Sequence, residues 1–153
     1  MDTNKVISSL NDLIEVCRDG QNGFKEAAEN VKSPDLKTFF NEISTERAEF
    51  VNELQLEVRR LGGDPQKSGS ASAALHRAWI DIKGTLTGKD DHLILNECER
   101  GEDSAVDVYN DALKAASLPT NILPTIQRQF QSIKQAHDRV KQMRDSKAAA
   151  SRR

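Results

Sequence analysis

Apolar residues return every three or four positions along four long stretches of this chain, and each run is interrupted by polar residues at about the same height. The first run passes through Val6, Leu10, Leu13, Ile14, Cys17, Phe24, Ala27, Ala28 and Val31, a helical period held over nearly 30 positions. The second carries Leu36, Phe40, Ile43, Phe50, Leu54 and Val58; the third Leu93, Ile94, Cys98, Ala105, Tyr109 and Ala112; the fourth Ile126, Phe130, Ile133, Val140 and Met143. No stretch alternates with the period of a strand. The pattern predicts four amphipathic helices.

Local signals place their ends. In Ser33-Pro34-Asp35, Ser33 is an N-cap, Pro34 suits the first helical position and Asp35 faces the positive end of the dipole. Gly62-Gly63-Asp64-Pro65 stops the second helix, Asp90 caps the third, and Leu118-Pro119-Thr120 precedes the fourth. Glycines at 20 and 23 weaken the first helix by roughly 1 kcal/mol each relative to alanine, and permit a bend or a close helix contact. Helices one and two, and three and four, have short links, so each pair is antiparallel. The link from Gly62 to Lys89 is much longer, with a short helix expected near Ala73 to Leu86. It can travel the ~40 Å length of a 27-residue helix, which starts helix three parallel to helix two. One long crossover between the middle helices is the ferritin-like form of the all-α four-helix bundle. The bundle is expected over residues 1–147, with 148–153 a disordered basic tail.

Composition narrows the setting. The 153 residues are 30% charged with a net charge of -2, a size that suits one domain. No run reaches the ~20 apolar residues of a membrane span, so no membrane partner is expected. The opening MDTNKVISSL lacks the basic and apolar regions of a secretion signal, which makes the cytoplasm the expected compartment. Cys17 and Cys98 lie on apolar stripes without metal-ligand spacing and read as buried thiols. The basic residues from Lys134 onward carry no interleaved aromatics and are expected to serve the helix dipole, not nucleic acid. His76 and His92 read as surface histidines, and Trp79 as a residue that seals the crossover or anchors a partner.

The candidate chemistry lies in the interrupting polar layer: Gly20 and Gln21, Glu46 and Arg47, Glu99 and Glu102, then His137. A di-iron or di-manganese centre of this architecture takes one Glu from each of two helices and a Glu-x-x-His pair from each of the others. Here helix two offers Glu46-x-x-Glu49, helix four Lys134-x-x-His137, and helix one no acid at that height. The favoured reading is a metal-free buried network of Arg47, Glu99, Arg100, Glu102 and His137, because a buried charge is tolerated only when paired. If iron or manganese does bind, the candidate ligands are Glu46, Glu49, Glu99, Glu102 and His137. No phosphate loop, nucleophile with a supporting base, or zinc-type spacing occurs.

Several segments resemble a family of small uncharacterised bacterial ferritin-like proteins grouped as a domain of unknown function. They are Asp19 to Ala28 (DGQNGFKEAA), Glu46 to Phe50 with Glu53 and Leu54, LGGDP from Leu61, LHRAWI from Leu75, ERGED from Glu99 with Tyr109, and His137 to Val140. The combination of LHRAWI and ERGED is the most specific part. The resemblance implies a ferritin-like bundle and brings no activity. Two functions stay open. One is a non-catalytic cytoplasmic bundle without cofactor, with stress association and homodimer formation as accompanying expectations. The other is a ferritin-like metal-binding oxidoreductase or iron-handling protein.

Overall fold

The computed structural model describes residues 2–65, 90–115 and 118–151, and among these the regular structure is four helices. They are α1 (Thr3–Asn30), α2 (Pro34–Arg60), α3 (Asp91–Ala115) and α4 (Leu123–Ser151). The expected crossover helix, with His76 and Trp79, lies outside the described residues.

Short polar side chains start the first three helices. The Asp2 carboxylate accepts from the N–H groups of Asn4 and Lys5, Ser33 Oγ from Leu36, and Asp90 Oδ1 from Leu93 at 2.9 Å. Each satisfies a backbone donor that the first helical turn leaves unpaired. Gly62 ends α2 with a φ of 82°, and the N–H of Gly63 returns to the Val58 carbonyl at 2.9 Å. A methyl group on Gly63 would come within 2.8 Å of Ile7, so this turn packs directly on α1. At the other end of the chain α4 continues to Ser151.

α1 packs against both α2 and α3, and α3 against α4. At the start of α3 the Asp91 carboxylate accepts from the backbone N–H groups of Lys32 and Ser33, at 2.8 and 3.1 Å. The N-termini of α2 and α3 therefore lie at the same end of the bundle, and the two helices run parallel, as the unequal links predict. No described helix is long and apolar enough to cross a membrane.

The interior divides into two apolar clusters. One gathers Leu10, Leu13, Cys17, Phe50, Leu54, Ala105, Tyr109 and Ile126 with their neighbours. The other gathers Phe24, Ala27, Phe40, Ile43, Ile94, Cys98 and Val140. Along each helix the change of cluster falls in one interval: 17 to 24, 43 to 50, 98 to 105 and 133 to 136. Gly20, Arg47 and Glu102 of the polar layer fall within the first three intervals, and His137 follows the fourth by one residue.

Candidate functional site

Between the two clusters the Arg47 guanidinium and the Glu102 carboxylate meet side by side, both fully buried. Nη1 donates to Oε1 and Nη2 to Oε2, each at 2.6 Å, the forked geometry that suits these two planar groups. Burial by itself would lower the Arg47 pKa, but the charge and hydrogen bonds of Glu102 outweigh it and raise it. Arg47 is thus held as a cation. On α1, Gly20 leaves the room this group needs, since a methyl there would lie 3.0 Å from Nη1. Phe24 places its ring 5.6 Å from the guanidinium carbon, within range of a cation–π attraction. The Arg47 Nε has no hydrogen-bond partner among the described residues.

A second polar run leads from this layer to the surface. Tyr109 Oη donates to Gln129 Oε1 at 2.8 Å, which leaves its oxygen to accept from the Cys17 thiol 3.1 Å away. Gln129 Nε2 donates to Glu53, which also pairs with Arg128. Burial pushes the Cys17 pKa up to about 11 and raises those of Tyr109 and Cys98. Both thiols stay protonated at neutral pH, and neither is an activated nucleophile.

The third polar group sits at the α3–α4 edge. His137 Nε2 is 2.6 Å from Asp103 Oδ1 and 4.0 Å from Glu99 Oε1, while Nδ1 is 3.0 Å from Asp138 Oδ1. Partial burial opposes the charged imidazole, yet the hydrogen bonds to Asp138 and Asp103 prevail and raise its pKa. Arg144 pairs with Glu99 and also with Asp145, at 2.9 Å to the latter.

The single network expected from the sequence is therefore divided. Arg47 and Glu102 form an inner pair; Glu99 and His137 belong to the outer group. Arg100 joins neither, because it points to solvent and pairs with Glu97 one turn back at 2.5 Å. Glu46 and Glu49 line an open groove along α2 with Thr38, Asn41, Glu42 and Thr45. Burial, partly offset by Arg47, raises the Glu46 pKa. Sequence reasoning missed Asp103, Arg144, Tyr109 and Gln129 as partners. The i, i+4 spacing of Glu99 and Asp103, and the two-turn spacing of His137 and Arg144, were the available signals.

A paired metal centre does not fit these side chains. Glu102 has both oxygens committed to Arg47, α1 supplies Gly20 in place of a carboxylate, and a guanidinium fills the space between.

The family model for a domain of unknown function, DUF2383, matches residues 5–115. Among solved structures, the chain is similar to a two-domain protein from Anabaena variabilis that contains DJ-1/ThiJ/PfpI-like and ferritin-like domains. The TM-score is 0.78 at 16% identity, covering 96% of this chain and 41% of that one. This chain thus spans less than half of that protein's length, and at such an identity the likeness speaks for the fold alone. No curated protein matches the sequence. A family match over most of the chain and a ferritin-like neighbour in three dimensions agree: this protein is a ferritin-like four-helix bundle and belongs to the DUF2383 family.

Proposed function

We propose that this protein is a non-catalytic helical bundle of the cytoplasm whose biochemical role lies on its surface and not in a metal centre within the helices. The observation that carries this reading is the Arg47–Glu102 pair. In bundles that activate oxygen or store iron, inward carboxylates balance the charge of two cations. Here Glu102, the one fully buried carboxylate among the described residues, is balanced by the chain's own guanidinium, and a pair of divalent ions placed beside that cation would meet repulsion in a medium that screens it poorly.

Elemental analysis of protein purified without chelator, before and after iron and manganese loading, tests this reading. The expected result is that neither metal is held as a pair per chain. Two irons or manganeses per chain, lost on Glu102→Ala, would replace it with the iron-handling oxidoreductase alternative.

A further inference from the structure

We propose that Glu99, Asp103 and His137 form a mononuclear site for a divalent first-row transition ion, best matched by Zn2+, on the α3–α4 edge of the bundle. One ligand atom from each of the three lies within 4.8 Å of the others. A four-coordinate ion with bonds of about 2.1 Å holds its ligands roughly 3.4 Å apart. Glu99 has only to close on His137 by a fraction of an ångström from 4.0 Å, and Asp103 to open from 2.6 Å. The two carboxylates stand one turn apart on α3 and approach the imidazole on α4, so the donors come from two packed helices. Three protein donors leave a fourth position for water.

The surroundings favour a cation at this point. Asp138 holds Nδ1, which turns Nε2 toward Glu99 and Asp103, the backing that metal-bound histidines receive from a neighbouring carboxylate. Among the described residues, four carboxylates (Glu99, Asp103, Asp138 and Asp145) share His137 and one guanidinium, Arg144. Because Arg144 already has Asp145, it can release Glu99 without losing every partner. The ion would take the place of the proton between Nε2 and Asp103, and that proton leaves to solvent. A nitrogen donor beside two oxygens selects Zn2+ over Mg2+, which prefers an all-oxygen octahedron.

The test is calorimetric titration of the chelator-stripped full chain with Zn2+ and, separately, with Mg2+. One equivalent of Zn2+ should bind at micromolar concentration, with no measurable Mg2+ binding. Asp103→Asn and His137→Ala should each weaken Zn2+ binding at least ~10-fold, Asp138→Asn by about 10–100-fold, and Arg144→Gln should strengthen it. Circular dichroism of each variant verifies that the bundle is intact; Arg144→Gln and Asp103→Asn carry the test if His137→Ala does not fold. Absence of saturable Zn2+ binding overturns the proposal. So does equal affinity for Mg2+, or Zn2+ binding unchanged by both Asp103→Asn and His137→Ala.

Discussion

Two acid–base clusters hang from one turn of α3, and they answer opposite physical demands. Glu102 points inward and meets Arg47 in a space closed to water, whereas Glu99 and Asp103 meet His137 and Arg144 at the rim. At 100° per residue, Glu102 and Asp103 are a quarter-turn apart, with Glu99 about 60° from one and 40° from the other. That small rotation separates a carboxylate that must be paired from carboxylates that can exchange partners. The inner pair holds two helices in one register; the outer group is free to take a new cation. The contrast shows that polar residue type alone does not define the role of this layer. Depth does.

The largest expected effect comes from breaking the inner pair. Arg47→Ala or Glu102→Ala should destabilise the protein by about 3–5 kcal/mol, because each strands an opposite charge in the core. For a domain of this size, about 2–4 °C of Tm is lost per kcal/mol, a drop readily seen in a thermal melt. The double variant Arg47→Met/Glu102→Leu should recover most of the loss, since it removes the need for pairing. If the single variants melt with the wild type, the two side chains are solvated and do not form a buried pair.

Gly20→Ala tests the same centre from α1. In an exposed helix this change stabilises by about 1 kcal/mol, but here the new methyl meets a guanidinium that Glu102 holds in place. The overpacking penalty of about 1–3 kcal/mol should reverse the sign, leaving a net loss of about 1 kcal/mol by chemical denaturation. A stabilised Gly20→Ala would mean that Arg47 has room to move.

At the rim the effects shrink. Asp103→Asn should change stability by less than ~1 kcal/mol, and the difference should fade as salt is raised. A cost that matches Arg47→Ala and persists in high salt would erase the distinction between the two clusters.

Glu46→Gln is expected to have the smallest effect, and only above the acid range. Because the folded-state pKa of Glu46 is raised, the native protein binds more protons than the unfolded chain between the two pKa values. Stability contributed by this group therefore falls as pH rises through that window. Glu46→Gln should be slightly more stable than wild type at neutral pH and indistinguishable below the ordinary carboxylate range, a difference that paired urea titrations at two pH values detect.

Much of this architecture can be read from local chemistry. Ser33-Pro34-Asp35 and Gly62 act at helix ends through groups a few residues away, so their roles follow from the sequence directly. Arg47 and Glu102 announce their depth because each stands within a run of buried apolar neighbours, Ile43 and Phe50 for one, Cys98 and Ala105 for the other. The sequence is less informative where a partner depends on the rotation of one helix against another. Arg100 is adjacent to Glu99, yet one step around α3 carries it to solvent. Tyr109 reads as an apolar stripe residue, and only the approach of α4 supplies Gln129 to its hydroxyl. Asp103 becomes part of a group only through His137, 34 positions along the chain.

Asp91 has a consequence for the order of assembly. The α1–α2 and α3–α4 hairpins are built from contacts between neighbours joined by short links, which chains find quickly. The bonds from Lys32 and Ser33 to Asp91 instead join residues 59 and 58 positions apart, and they form only when the two hairpins come together. Closure entropy grows slowly with length, by about 0.6 kcal/mol for each doubling. Varying the length of the connection should thus matter less to folding speed than the alignment of the two hairpins. Asp91 contributes to that alignment by giving the start of α3 two fixed backbone donors to find, and so it ties the meeting of the two halves to a single register.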